Sequence, residues 1–260
     1  MSWWESAYKG SPPWDIGAPQ PEIVKLVENN EIPKGRVLDI GCGLADNSIL
    51  LAKKGFSPTC MDIARLAINK GRRKAVEQKA EVNFLVGDAL KLDGFFDPGF
   101  FVAVIDSGLF HALSDDERPI FAKQIWRVLV DGGKYFALCF SDKEPSDEGP
   151  RKISKREIEE TFSDMFKIDY IRKAVFASKL HKKGARAYLV SMTKSGARAD
   201  SGNRQLSIHG SIKLANHAPG FADSCVRMDV LNSPEIVCAP AIRRTRAHPF
   251  NPSASRTLCF

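Results

Sequence analysis

No stretch of this 260-residue chain approaches the roughly 18 consecutive apolar residues that a membrane span requires, so no membrane partner is expected. The N-terminus, Met1-Ser2-Trp3-Trp4-Glu5, has neither the basic start nor the apolar run of a secretory leader, and a cytoplasmic protein is expected. Cysteine is scarce. Cys42, Cys60, Cys139, Cys225, Cys238 and Cys259 form no Cys-x-x-Cys pair and have no histidine at ligand spacing, so no metal is expected. With no export signal, a disulfide framework is not expected, and all six read as reduced thiols. Cys60 and Cys139 lie in apolar runs, where a thiol acts as a small buried hydrophobe. Internal repeats are absent.

Charge of one sign is also thinner than the net +7 implies. Residues 1–194 hold 30 Lys and Arg against 27 Asp and Glu, while residues 195–260 hold 8 against 4. More than half of the excess therefore sits in the last quarter, and a nucleic-acid partner is not expected. That last quarter has no helical or strand period and switches from lysine to arginine, with one Lys and seven Arg. It reads as an irregular, disordered tail. Arg243-Arg244-Thr245-Arg246 is either a basic patch or part of an extension outside the domain.

What the chain has is a globular composition, 43% hydrophobic and 27% charged, and a regular alternation of strand and helix signals. Residues 1–20 set Trp3, Trp4, Tyr8 and Trp14 among prolines and glycines. They are expected to form an aromatic arm without regular helix. A short helix starts at Pro21. Strands are predicted at 36–40, 57–62, 82–86, 100–105 and 134–140, with helices at 46–54, 63–79 and 117–130 between them. Asp131-Gly132-Gly133 reads as a turn. Ser154 and Glu157 have the spacing of a reciprocal N-terminal cap for a helix over 154–162. Two last strands, 166–176 and 186–192, form a hairpin. The fold class is α/β: a Rossmann-like, doubly wound, seven-stranded sheet, mostly parallel with an antiparallel last strand. It is expected to occupy 21–194.

The chemistry concentrates at strand ends. Val37-Leu38-Asp39-Ile40-Gly41-Cys42-Gly43-Leu44-Ala45 is a buried strand followed by a glycine turn, which lets a ligand meet backbone at the start of the next helix. A Gly-x-Gly turn alone does not distinguish a nicotinamide cofactor from other ligands. Asp39, inside the strand, repels a pyrophosphate but suits an ammonium. Asp62 ends the second strand, where a carboxylate can accept two ribose hydroxyls. Gly87-Asp88-Ala89-Leu90 follows the third strand, placing an acid where it can accept from an adenine amino group. Three acids at three successive strand tips form a specific pattern.

Residues 36–140 resemble the class I S-adenosylmethionine-dependent methyltransferases, through the Asp-x-Gly-x-Gly motif. Ala45 stands where that family usually has a third glycine. Pro13-Trp14-Asp15-Ile16-Gly17-Ala18-Pro19-Gln20-Pro21, Asp106-Ser107-Gly108-Leu109-Phe110-His111, and Leu138-Cys139-Phe140-Ser141-Asp142 with Gly149-Pro150-Arg151 resemble bacterial heterocyclic toxin methyltransferases. Thiopurine S-methyltransferase-like enzymes are a looser match. The resemblance spans about residues 8–193. It implies S-adenosylmethionine as donor and methylation of a small aromatic or heterocyclic acceptor on O, N or S, with thiol or metalloid detoxification as the alternative.

The cofactor is then expected to meet Trp14, Asp39, Gly41, Cys42, Gly43, Asp62, Ile63, Asp88, Ala89 and Asp106. Trp14, Phe110, His111 and Arg151 are the candidates facing the acceptor. Trp14 either covers the ligands or pins the arm to the core. His111 and Asp106 are the catalytic candidates. His111 is either a general base or a polar residue that only positions the acceptor. Arg151 either pairs with an acidic acceptor oxygen or lies at the surface. A nucleic-acid methyltransferase would carry Asn/Asp-Pro-Pro-aromatic after the fourth strand, where this chain has Asp106-Ser107-Gly108-Leu109. A nicotinamide enzyme would need glycine at position 46, which is Asp46. A non-catalytic cofactor-binding protein is the third alternative. A monomer or weak homodimer is expected.

Overall fold

A computed structural model describes residues 3–145 and 149–195. The chain runs α1 (Trp3–Ala7), α2 (Pro21–Glu28), β1 (Arg36–Ile40), α3 (Asp46–Lys53), β2 (Ser57–Asp62), α4 (Arg65–Glu77) and β3 (Asn83–Val86). It continues through β4 (Phe101–Ser107), α5 (Glu117–Val128), β5 (Leu129–Phe140), α6 (Lys155–Phe162), β6 (Phe166–Phe176) and β7 (Ala185–Lys194). Seven strands form one sheet in the order β3-β2-β1-β4-β5-β7-β6. The β3-β2-β1-β4-β5 pairings are parallel, whereas β7 is antiparallel to both its neighbours, β5 and β6. No helix among the described residues is long and apolar enough to cross a membrane.

Both faces of this sheet are covered, and strand periodicity decides which residue goes where. On β4, Val104 joins the cluster under α5 and α6 with Phe121, Ile125 and Phe162. Its neighbours Ala103 and Ile105 join the opposite cluster with Ile23 and Leu26 of α2 and Leu51 of α3. On β5, Tyr135, Ala137 and Cys139 face the first cluster, and Phe136, Leu138 and Phe140 the second. These inward residues are nearly all inaccessible to solvent, so each strand reads as a continuous apolar run.

Several boundaries differ from expectation for local reasons. Residues 3–7 form a helix because the first breakers, Gly10 and Pro12, lie beyond them. Asp131-Gly132-Gly133 is absorbed into β5 as an irregularity, where the pairing with β4 slips between Phe101 and Ala103. Cys42 and Cys60 are joined as a disulfide with Cα atoms 5.6 Å apart, correcting the reading of all cysteines as reduced thiols. The cause is spatial: the N–H groups of Gly41 and Cys42 both donate to the Met61 carbonyl, which folds residue 42 back onto β2 beside residue 60. Cys139 is a free buried thiol, and Cys225, Cys238 and Cys259 lie outside the described residues, as does the arginine cluster at 243–246.

The cap of α6 forms as its sequence spacing predicts. Glu157 donates its N–H to Ser154 Oγ at 3.2 Å, and Ser154 donates its N–H to Glu157 Oε2 at 2.8 Å. Ser154→Ala should cost about 1 kcal/mol, seen in thermal unfolding as a midpoint lowered by about 2–4 °C.

Candidate functional site

The connections from β1 and β4 leave in opposite directions, β1 toward β2 and β4 toward β5. In an open sheet that divergence leaves a crevice outside the carboxyl ends of the strands. A cavity of about 840 Å³ lies there, lined by the turn after β1, the tips of β2, β3 and β4, and the N-terminal arm. Gly41 and Gly43 take left-handed φ values of 66° and 54°, which favour glycine. Space demands it too: a Cβ on Gly41 would come within 2.9 Å of Leu109, and one on Gly43 within 2.9 Å of Tyr8 Oη. Ala45 also takes the left-handed region, at 66°, so the glycine-like backbone survives the departure in side chain.

The carboxylates at the strand tips are oriented by backbone donors, with Asp62 buried and Asp88 partly exposed. Asp62 lies in the cavity wall; its Oδ2 accepts from Gly43 N–H at 2.9 Å and its Oδ1 from Ala64 N–H at 2.8 Å. Asp88 accepts from Leu90 N–H at 2.9 Å and lines the cavity beside Gly87 and Ala89. Ile63, also in the wall, is half exposed. Asp39 lies just behind the turn. Ser48 donates to its Oδ2 at 2.7 Å, while its buried Oδ1 has no partner. Burial pushes the Asp39 carboxyl up to about 7 against the Ser48 hydrogen bonds, and burial raises Asp62 above its ordinary value as well.

The aromatic arm is strapped across this site. Trp14 Nε1 donates to Tyr8 Oη at 3.1 Å, and the Trp3, Trp4 and Trp14 rings touch one another with centroids 4.7 to 5.9 Å apart. One end is held by α4: Lys70 Nζ donates to the Tyr8 carbonyl at 2.7 Å, and Leu66 N–H donates to the Glu5 carboxylate at 3.2 Å. The other end is held by the β6–β7 connection, where the Gln20 side chain exchanges two hydrogen bonds with the Ala177 backbone at 2.9 and 3.0 Å. Trp14 lines the cavity and packs against the cluster of Tyr8, Ala64 and Ala67. Tyr8 and Gln20 were not marked as site residues by sequence, since burial of a polar side chain in an irregular segment follows from no periodicity.

Beyond the glycine turn the wall becomes aromatic, with Phe140, Phe176 and His111 in contact. Phe140 N–H donates to His111 Nδ1 at 3.1 Å. Burial, with Arg118 nearby, pushes the imidazole down to about 3. Phe176 at the end of β6 had no sequence signal. Three expected site residues are absent from the cavity lining: Asp39, which lies behind the glycine turn, and the two that follow. Phe110 is buried among Phe121 and Phe162, its side turned to the core by the turn over Phe110–Ala112. Asp106 supports the wall from behind: Leu109 N–H, Phe110 N–H and the Tyr135 hydroxyl donate to it at 2.7, 3.0 and 3.0 Å. It is absent from the lining, and burial raises its carboxyl to about 7. Arg151 reaches the cavity rim, but Asp115 at 2.6 Å and Glu157 at 2.9 Å hold its guanidinium.

A Rossmann-like sheet with a glycine turn after β1 and acids at successive strand tips defines a binder of an adenosine-type ligand bearing a cation. A methyltransferase-domain family model matches residues 37–133. The 2-heptyl-1-hydroxyquinolin-4(1H)-one methyltransferase of Mycobacteroides abscessus is 35% identical over 181 residues, 65% of this chain and 78% of that protein. "Probable thiol methyltransferase 2" of Arabidopsis thaliana is 31% identical over 60% of this chain and 69% of its own length. A structure solved for the conversion of a disulfide bond into a thioacetal group during echinomycin biosynthesis superposes with a TM-score of 0.65 at 29% identity, covering 73% of this chain and 91% of the other. The chain belongs to the class I S-adenosylmethionine-dependent methyltransferases. It is an enzyme whose cofactor is S-adenosylmethionine.

The residues present fit that cofactor: the unpartnered Asp39 Oδ1 is a buried acceptor awaiting a donor, and an ammonium supplies one. The pH dependence has two opposite signs. In the free protein Asp39 and Asp106 bind protons more tightly folded than unfolded. They therefore favour the fold fully below the ordinary value of 3.8, and this contribution is lost as pH rises through about 7. Ligand binding pulls the other way, because an ammonium favours ionised Asp39. Calorimetry should show S-adenosylhomocysteine binding more tightly from about pH 5 to about pH 7, with proton release that Asp39→Asn reduces.

Proposed function

We propose that this enzyme methylates a heteroatom, O, N or S, of a small apolar aromatic or heterocyclic acceptor. The supporting observation is that one cavity joins the glycine turn and Asp62 to a wall made by His111, Phe140 and Phe176, with Trp14 over it. Flat apolar acceptors bury well against such rings, which also exclude water from a step in which charge is lost. The hydroxyquinolinone relative points to the same acceptor class. The thiol methyltransferase relative favours the second reading, detoxification of thiols or metalloids.

When bound, S-adenosylmethionine supplies a methyl group on a cationic sulfur. In this proposal the Asp39 carboxylate accepts from its ammonium, and the lone pairs left on Asp62 accept from the ribose hydroxyls. Gly41, Cys42 and Gly43 line its amino-acid portion, Ile63 and Ala89 flank the base, and Asp88 accepts from the base amino group. Trp14 closes the site over the reacting ends, and Arg151 faces an acceptor at the rim. The protein's main task is alignment of two reactants for in-line displacement. Asp106 keeps the β4 loop in shape through its three accepted hydrogen bonds. The protein acts in the cytoplasm as a monomer or weak homodimer, with residues 1–20 as the closing arm and 21–194 as the catalytic domain.

S-adenosylhomocysteine release on hydroxyquinolines, flavonols, thiopurines, simple thiols and tellurite separates the two readings. Turnover is expected on the bicyclic heteroarenes, and turnover confined to thiols and tellurite would transfer the assignment to the second. Asp62→Asn should weaken S-adenosylhomocysteine binding about tenfold or more by calorimetry. A chain shortened by deletion of residues 196–260 should keep that affinity. Ser195 is retained because Trp126 Nε1 donates to its carbonyl at 3.0 Å.

A further inference from the structure

Building on the aromatic-acceptor reading, we infer that His111 is a fixed hydrogen-bond donor that selects acceptors whose heteroatom is already ionised near neutral pH, and that it takes no proton from them. A backbone N–H can only donate, so the Phe140 N–H at 3.1 Å requires a lone pair on His111 Nδ1. A neutral imidazole with its lone pair on Nδ1 carries its hydrogen on Nε2. Among the described residues the hydrogen bond found for the ring is the one at Nδ1, and none is found at Nε2. Nε2 lies 3.3 Å from the place a Cβ would take on Gly108, another residue of the cavity wall. The ring thus offers the cavity an N–H and no basic lone pair. Reversing it would set a hydrogen on Nδ1 against the buried amide of Phe140, at the cost of an unpaired donor.

Charged groups of both signs surround the ring. Arg118 of α5 is buried, with its guanidinium 5.1 Å over the Phe110 ring, and its Nε and Nη2 have no partner. Asp115 and Glu157 are bridged by both Arg118 and Arg151, so neither is a free negative group beside the site. Glu117 of α5 is the carboxylate in the lining on this side, and Asp106 behind β4 is occupied by its three donors. From the β6–β7 connection His181 approaches only the far ring, with its centroid 5.8 Å from Phe140. Burial and Arg118 lower the basicity of His111 and keep the ring neutral, and the Phe140 N–H selects its tautomer.

The reaction then balances without a base. The anionic heteroatom forms a bond to the methyl carbon, the carbon–sulfur bond breaks with its electron pair going to sulfur, and one negative and one positive charge cancel. No proton has to leave. Acidic hydroxyheteroarenes, N-hydroxy compounds and heteroaromatic thiols meet this condition, whereas simple alcohols and ordinary phenols do not at neutral pH.

A series of substituted hydroxyquinolines with graded hydroxyl acidity tests the assignment in the full-length enzyme. The rising limb of kcat/KM against pH is expected to follow each acceptor's own ionisation. His111→Phe should lower kcat/KM for the ionised acceptor by about ten- to a hundredfold without moving that limb, and His111→Gln, which keeps an N–H, should recover part of the loss. Absorption spectra of acceptor bound to the S-adenosylhomocysteine complex should show the anion about one pH unit below its free ionisation, an effect absent in His111→Phe. A limb at one pH shared by all acceptors, abolished by His111→Phe, would make His111 a base and overturn the inference. Should the Phe variant not fold, the wild-type series and His111→Gln decide the matter alone. If S-adenosylhomocysteine binds but no hydroxyheteroarene is methylated, the acceptor class itself is wrong and the donor role falls with it.

Discussion

Gly43 and Ala64 both donate backbone N–H groups to the one buried carboxylate of Asp62, at 2.9 and 2.8 Å. That side chain ties the glycine turn after β1 to the start of α4, and the rest of the cofactor side is built around the joint. Gly71 of α4 packs so closely on the turn that a Cβ there would come within 3.1 Å of Ala45 and 3.2 Å of the Leu44 backbone. The Cys42–Cys60 bond adds a covalent link between the same two strand ends. These contacts hold the turn in shape without a ligand, and such preorganisation lowers the ordering cost of binding.

The same joint concentrates unpaired negative charge. Asp39, Asp62 and Asp106 are all buried, and none forms an ion pair with a lysine or arginine among the described residues. Burying carboxylates without cations is expensive, and the raised pKa values of Asp39 and Asp106, each about 7, register that expense. The three solve it differently. Asp62 and Asp106 are satisfied by backbone and hydroxyl donors, but Asp39 keeps one oxygen empty. In the proposed assignment that oxygen would accept from the ammonium of the bound cofactor.

The sheet was legible because strand and helix periods alternate along residues 36–194 and both faces are apolar. The reciprocal cap at Ser154 and Glu157 was legible because it is a local spacing rule. What escaped depends on distance in sequence. The Cys42–Cys60 bond joins residues 18 apart through a strand pairing, and Gln20 binds Ala177 across 157 residues. The loop from Asp106 to His111 shows the limit most clearly. Sequence assigns its residues to one site, but composition does not reveal that Asp106 and Phe110 turn inward while Leu109 and His111 line the cavity. That choice rests on the direction of each side chain within a single turn. His111 is a candidate by residue type and by its place after β4, whereas the hydrogen-bond partner on β5 that bears on its tautomer is distant in sequence.

The strand order has a consequence for how the molecule is made. β7, the last strand among the described residues, lies between β5 and β6, pairing with each along most of its length. Until it emerges from the ribosome, β5 waits with an open edge and β6 has no neighbour to join. The acceptor wall is held from the same place, since Phe140 ends β5 and Phe176 ends β6. Synthesis therefore completes the cofactor turn early and the acceptor side last, and a nascent chain halted before residue 185 would carry the first without the second.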